Sequence, residues 1–410
     1  MKRHAFLTIA LLAMSAIPIH SQNLPSLLAD KNINATFSIV AYDENTEEWG
    51  IAVATNNIYV GNSTIYIRPG LGAFSVIAET EPNYALQGFE KLKQGKTIET
   101  ALLEVKRNDP GAHYRQVAGI DAKGNGHAFT GEALKYWKGE AQARLGHHFV
   151  VMGNQLAQGV LEAMATAYEN SKGSLAERLL HSLTAGQQAG GQISGKQSAA
   201  VVVKGTNNAW YDQIDLRVDH SQTPLKDLRQ LMDYHYGRIR LNQALYAQRA
   251  GNLQRAIQKL GEAAPMLEGW TGMYPKIARA HIIMGNENAA VTWIQKGLAE
   301  NPNWEVYLPA FYVLKDHPEM KSIIRSDSFT IRDWESAMGL LGNLGREPDV
   351  IALGEALLQK GVESSYLIFL LARSLYRENE MDKALAHLKK ALQLDAQNVE
   401  AQQLLAKIKA

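Results

Sequence analysis

The side chains with chemistry to offer are few and scattered. Glu79, Glu81 and Asp43 are carboxylates near the ends of β-rich stretches, where acid–base residues and plain solvated turns look alike. His147 and His148 stand together at the start of a strand-like run. Neighbours on a strand face opposite ways, so one buried and one exposed imidazole are expected, with no ion chelated between them. Gly186 to Gly195 is glycine-rich but lacks the Lys-Ser/Thr pair that opens a phosphate-binding helix, and it reads as a turn before a strand. A nucleophile elbow, a dinucleotide fingerprint and a zinc-protease helix motif are all missing. Thr36 begins the first strand, where a threonine is ordinarily just a β-former.

Composition narrows the field further. The 410 residues include no cysteine, which excludes disulfides, thiolate zinc sites, iron–sulfur clusters and cysteine nucleophiles. No cofactor or metal is expected. Lys and Arg total 42 against 41 Asp and Glu, a net charge of +1, so no overall field gathers polyphosphate and no nucleic-acid partner is expected. Residues 1–22 read as a secretory signal: Lys2, Arg3 and His4, then apolar Ala5 to Ile17, then Pro18 and the small Ser21. The apolar stretch is short for a membrane span. A periplasmic or secreted protein without a membrane anchor, beginning near Gln22, is the expectation.

The elements that must position any site follow from hydrophobic period. Thr36 to Tyr42 and Trp49 to Thr55 alternate around the turn residues Asp43-Glu44-Asn45-Thr46, predicting a hairpin. Strands are predicted at Ser63 to Ile67 and Gly72 to Ala78, then helices at Asn83 to Gln94 and Thr97 to Arg107. Further strands fall at Arg115 to Asp121, Gly126 to Thr130 and His147 to Met152. Helices follow at Leu156 to Glu169 and Leu175 to Gln188, and strands at Ser198 to Lys204 and Ile214 to Val218. Strands that pair as hairpins, with helices arriving two at a time, predict an α+β four-layer αββα sandwich over 36–220. From 225 to 410 nearly everything reads as helix. Ala250-Gly251-Asn252 recurs as Met284-Gly285-Asn286, and Gly345 is followed by Asn379, both at an interval of 34 residues. That is the period of a tetratricopeptide-like helical repeat, with a break between Tyr307 and Phe329.

Ordered along the first half are Thr36-Phe37-Ser38-Ile39-Val40-Ala41, Gly50-Ile51-Ala52-Val53-Ala54-Thr55 and Gly70-Leu71-Gly72-Ala73. After them come Asp109-Pro110-Gly111, Arg115-Gln116-Val117, Thr130-Gly131, Gly153-Asn154, Gly195-Lys196-Gln197-Ser198-Ala199-Ala200 and Asp215-Leu216-Arg217-Val218-Asp219. In this collinear set the sequence resembles the bacterial domain-of-unknown-function 1028 family. That family is similar to the N-terminal nucleophile hydrolases, whose sandwich agrees with the order of elements above. The resemblance implies that Thr36 is the catalytic residue: its hydroxyl attacks an amide carbonyl and its own α-amine serves as base. Family members commonly begin Met-Thr-Phe-Ser. Here Ala35 precedes Thr36, so the nitrogen is an amide and no base until the Ala35–Thr36 bond is cut. Asn154 and Gln197, in glycine-flanked turns at strand ends, and Arg115, which can orient a carboxylate, are the expected substrate-binding residues.

Two functions remain open at this level. One is an exported amide hydrolase acting on a linear or cyclic amide, a small molecule or a peptide, with helical repeats that recruit a protein partner. The other is a catalytically silent binding or scaffold protein of the cell envelope, since stacked helix pairs form peptide-binding surfaces. Homo-oligomerisation through a sheet is a further expectation.

Overall fold

A computed structural model describes residues 35–209 and 212–409; the signal-like segment 1–22 lies outside the described residues. The chain divides into two compact units, 1–232 and 233–410.

In the first unit the strands are β1 (Thr36–Asp43), β2 (Glu48–Thr55), β3 (Ile65–Arg68), β4 (Gly72–Ala78), β5 (Arg115–Asp121), β6 (Gly126–Thr130), β7 (Glu140–Gly146), β8 (Phe149–Leu156), β9 (Ser198–Gly205) and β10 (Ile214–Val218). Its helices are α1 (Asn83–Lys93), α2 (Ile98–Arg107), α3 (Val160–Asn170) and α4 (Leu175–Gln188). Two sheets form, ordered β10-β9-β2-β1-β8-β7 and β3-β4-β5-β6. Every neighbouring pair is antiparallel.

Alternation sorts the side chains into layers. Val40, Ile51, Val53, Val150 and Met152 of the large sheet meet Ala73, Ile77, Ala118 and Ile120 of the small one in a shared core. The other face of the small sheet carries Phe74, Val76, Val117 and Phe129, which pack against Tyr84, Phe89 and Leu102 of α1 and α2. Each such buried aromatic or leucine contributes about 2–3 kcal/mol. On the outer face of the large sheet, β2 presents only the small residues Gly50, Ala52 and Ala54 under α4. A Cβ on Gly50 would lie 2.4 Å from Leu179 Cδ1, so the helix approaches β2 closely enough to require glycine there. The result is the four-layer αββα sandwich expected from the hairpin pattern.

Three details differ from the sequence reading. The edge strand β7 shows no buried residue along its length, so it lacks the alternation by which strands are recognised. Leu156 ends a strand rather than starting a helix, and α3 begins after Gly159 at φ +82°. The two histidines do not start a strand either. They form the two-residue turn between β7 and β8, with His148 at φ +60° and the rings stacked 3.9 Å apart.

The helix α5 (Pro224–Arg249) contains the division between units. In the second unit follow α6 (Leu253–Met266), α7 (Tyr274–Ile283), α8 (Glu287–Glu300), α9 (Ile331–Asn343), α10 (Glu347–Gln359), α11 (Ser365–Arg377), α12 (Met381–Leu394) and α13 (Val399–Lys409). The 34-residue period has a backbone basis. Gly251, Gly285, Gly345 and Asn379 all sit in the left-handed region. After each, the next N–H donates to the carbonyl five residues before it: Asn252 to Ala247, Asn286 to His281, Arg346 to Leu341 and Glu380 to Leu375. This is the glycine-type helix stop, repeated. Five residues beyond each stop, Ala256, Ala290, Val350 and Ala384 are fully buried where helices meet. The expected break is also present. Residues Pro302–Leu314 form a 3-10 stretch kinked at Phe311, with Pro302 at its first position and Pro309 inside it, where an α-helix would lose a backbone hydrogen bond. Among the described residues, no helix is long and apolar enough to cross a membrane.

Candidate active site

At one end of the sandwich the inward-facing row of the large sheet is polar across four strands. Ser198 of β9 lies opposite Thr55 of β2, Thr55 opposite Thr36 of β1, and Thr36 opposite Asn154 of β8. All four are buried, Thr36 at 4% exposure and the others at 0%. Facing them from the small sheet are Gln116 of β5 and its cross-strand partner Thr130 of β6. Polar groups kept this far from water cost several kcal/mol unless they find hydrogen bonds, so the partners of each atom matter.

The backbone carbonyls fix the direction of every proton. Thr55 Oγ1 is 2.9 Å from the Ala35 carbonyl, which can only accept, so the single Thr55 hydroxyl proton is donated there. Thr36 Oγ1, 2.9 Å from Thr55 Oγ1, must then be the donor in that pair. The Ala35 carbonyl accepts a second bond from the Asn56 N–H at 3.1 Å, and the Ala35 N–H donates to Asn56 Oδ1. Across the row, one end of the Gln116 amide lies 2.9 Å from the Gly153 carbonyl and 3.1 Å from that of Gln142. That end is therefore the NH2 group, and the other is oxygen. The Asn154 amide group 3.1 Å from this oxygen must be NH2 in its turn. Asn154 Oδ1 is left buried without a hydrogen-bond partner.

Loops close around the row. Gln197, just before β9, donates its backbone N–H to the Thr55 carbonyl at 2.8 Å while its side chain is exposed. Asn56 Nδ2 donates to Ser194 Oγ, and Gln192 bridges to Leu156 beyond the point where β1 begins. Backbone strain gathers nearby: Gln155, next to Asn154, has φ +51°, and Ala78, next to Ile77 on β4, has φ +65°. Each such residue costs about 1–3 kcal/mol.

Arg115 takes a different direction. Alternation turns it away from its neighbour Gln116, and its guanidinium is shared between Asp109 at 3.0 Å and Glu79 at 3.3 Å. Burial pushes Asp109 up, but hydrogen bonds from Arg115, the Gly111 N–H and Tyr84, together with the arginine charge, hold it below the usual carboxylate range. Burial, then the charge and hydrogen bond of Asp109, push the Tyr84 phenol far up. Of the residues picked from sequence, the fold thus brings Thr36 and Asn154 side by side and sets the Gln197 backbone against Thr55. Arg115 is committed to two acids. Asn154 lies inside β8 rather than in a turn. Asp43, another of the carboxylates noted in the sequence, is paired with Arg178 at 2.9 Å.

Sequence reasoning passed over Thr55, Asn56, Gln116 and Ser198. A signal was available, because Gln116, Ala118 and Ile120 alternate and put a glutamine where the pattern demands an inward apolar residue. Among the described residues no group of three or more metal-ligating side chains is assembled.

A family model described as "Family of unknown function (DUF1028)" matches residues 36–228. The crystal structure of protein SPO2555 from Silicibacter pomeroyi, a protein of that family, is 30% identical, with 48% of this chain and 84% of that one aligned and a TM-score of 0.45. MamA from Desulfovibrio magneticus RS-1 aligns at 17% identity over 42% of this chain and 82% of its own, with a TM-score of 0.20. The tetratricopeptide domain of P58(IPK) aligns at 15% identity over 42% of this chain and 55% of its own, with a TM-score of 0.22. No curated protein matches. The identity to SPO2555, over most of that protein's length, and the family match beginning at Thr36 lead to one conclusion: this chain belongs to the DUF1028 family of unknown function.

Proposed function

We propose that the protein is an exported amide hydrolase whose nucleophile is the hydroxyl of Thr36, with the helical repeats serving to bind a protein partner. The observation that carries the reading is the state of the Ala35 carbonyl. Its oxygen accepts from Thr55 Oγ1 and from the Asn56 N–H, the two-donor arrangement that stabilises an oxyanion. The nearest hydroxyl along the chain is Thr36 itself. Addition of Thr36 Oγ1 to the Ala35 carbonyl carbon, breakage of the C–N bond and transfer of the hydroxyl proton to nitrogen give an ester. Water then cleaves that ester to an Ala35 carboxylate and a free Thr36 α-amine. With its amine free, Thr36 holds both nucleophile and base within one residue. Residues 1–22, with a basic start and an apolar run ending at small residues, support export.

The test is the amino terminus of the protein recovered from cells, read by intact mass. The wild type is expected to begin at Thr36 and Thr36→Ala to retain the upstream residues. A wild-type chain that still carries Ala35 refutes the reading. The scaffold reading is favoured by one specific observation, the complete burial of Ala35 in an uncut chain. It predicts that same uncut terminus, together with partner binding that needs the helical unit.

A further inference from the structure

The orphaned oxygen of Asn154 has a specific use. Its identity as oxygen does not rest on a choice of amide rotamer, because the carbonyls of Gly153 and Gln142 dictate the orientation of Gln116, and Gln116 dictates that of Asn154. The atom is fully buried, unpartnered, and next to Thr36 on the same face of the sheet. An unsatisfied buried carbonyl costs about 1–3 kcal/mol, so a donor is wanted there.

The backbone of Asn154 points the same way. Hydrogen-bonded and open pairs alternate along an antiparallel ladder. The Tyr42 N–H donates to the His148 carbonyl at 2.9 Å, and Thr36 opposite Asn154 is six residues along β1 in the same register. Thr36 and Asn154 are therefore a hydrogen-bonded pair, and the Thr36 nitrogen faces the Asn154 main-chain carbonyl. In the uncut chain that nitrogen has one hydrogen and one acceptor. A free amine has two hydrogens and a lone pair. Asn154 offers two acceptors, one already engaged and one idle.

Resting on the reading that Thr36 becomes the amino terminus, we infer that Asn154 is a positioning residue whose side-chain carbonyl accepts the second N–H of the Thr36 α-amine. With its main-chain carbonyl holding the first N–H, the lone pair is left for the Thr36 hydroxyl. The amine can then rotate little, and its basic site is presented to the proton it must take. Gln116 acts through Asn154 by holding the amide in this orientation.

The test titrates the α-amine of the mature protein with an amine-acylating reagent, following modification of Thr36 by peptide mass across pH 5–10. The midpoint of labelling is compared among wild type, Asn154→Asp, Asn154→Leu and Asn154→Ala. A carboxylate at the idle position favours the ammonium form, so Asn154→Asp is expected to raise the midpoint by about one pH unit, a tenfold change in proton affinity. Asn154→Leu removes the acceptor and is expected to lower it. A purely structural asparagine leaves the midpoint unchanged when the acceptor is removed without adding charge, as in Asn154→Leu, and Asn154→Ala, which also lacks the acceptor, keeps the test decisive if leucine misfolds. Identical midpoints in wild type and Asn154→Leu, or Asn154→Ala in its place, overturn the inference while the nucleophile reading stands. A wild-type chain not starting at Thr36 overturns both.

Discussion

Replacing Gln116 with leucine probes the polar row without touching Thr36. The side chain is fully buried: its NH2 group shares its two protons among Thr130 Oγ1 and the carbonyls of Gln142 and Gly153, and its oxygen accepts from Asn154 Nδ2. Leucine fills a similar volume, so the cavity contribution is small and the loss is mainly polar. The Thr130 hydroxyl can rotate to another partner, and each carbonyl keeps a second lone pair. The Asn154 NH2 group loses its partner outright, and one carbonyl's worth of lost bonding is added. At about 1–3 kcal/mol for an unsatisfied buried group, the sum comes to about 3 kcal/mol. Amide hydrogen exchange resolved by peptide reads this directly, because peptides over β5 and β8 open with the local stability of the sandwich. Their exchange is expected to quicken by roughly a hundredfold, while peptides from α9 to α12 stay unchanged. A change below about fivefold in β5 and β8 would mean that the glutamine was not holding the row, and the proton directions derived from it would lose their basis.

Arg115→Met leaves Asp109 and Glu79 buried without their shared cation, a loss of about 3–5 kcal/mol. The first unit is expected to melt lower by roughly 10 °C; an unchanged Tm means that the pair is solvated. In the helical unit, burial holds His281 and His387 below the ordinary histidine value of 6.5, with the charge of Lys390 adding to the effect at His387. The unfolded chain therefore takes up these protons first as pH falls, so the stability they support is present above 6.5 and is lost on acidification through their folded values. The urea midpoint of the helical signal is expected to be lower at pH 5.5 than at pH 7.5, and the difference is expected to shrink in His281→Gln/His387→Gln.

Much of this fold was legible in the residues, for identifiable reasons. The sandwich strands, buried on both faces, read as short apolar runs bounded by turn residues, helices with a single apolar stripe carry their period openly, and the glycine-type stops repeat at a fixed interval. What stayed hidden was set by tertiary pairing. Strand β7 is an edge with Glu140, Arg144 and no buried residue, so its membership in the sheet follows from its neighbour β8 and not from its own pattern. The tight turn at His147-His148 depends on a left-handed histidine, which sequence does not announce. The polar row is a matter of register. Ser198, Thr55, Thr36 and Asn154 lie far apart in the chain, and only the pairing of four strands aligns them. Thr36 was singled out by family resemblance, whereas the reason for Asn154 came from the orientation of Gln116.

Thr55 links the two halves of the mechanism, and its replacement tests them together. In the uncut chain its proton goes to the Ala35 carbonyl and its oxygen accepts from Thr36. Valine has nearly the same shape but offers neither, so Thr55→Val strips the Ala35 oxygen of one of two donors and leaves only the Asn56 N–H. Loss of one donor of this kind slows attack at a carbonyl by about 10²–10³-fold. If Thr36 attacks Ala35, a time course of intact mass on newly made protein will show Thr55→Val accumulating the uncut form while the wild type is converted. Thr36→Ala will not convert at all. The two variants act at different points: one removes the nucleophile and the other only the stabilisation of the oxyanion it forms, so a slow Thr55→Val beside an inert Thr36→Ala locates the reaction at the Ala35 carbonyl. Conversion of Thr55→Val at the wild-type rate would place the cut in the hands of another protease, and the two bonds to the Ala35 oxygen would then be nothing more than the end of a β-ladder.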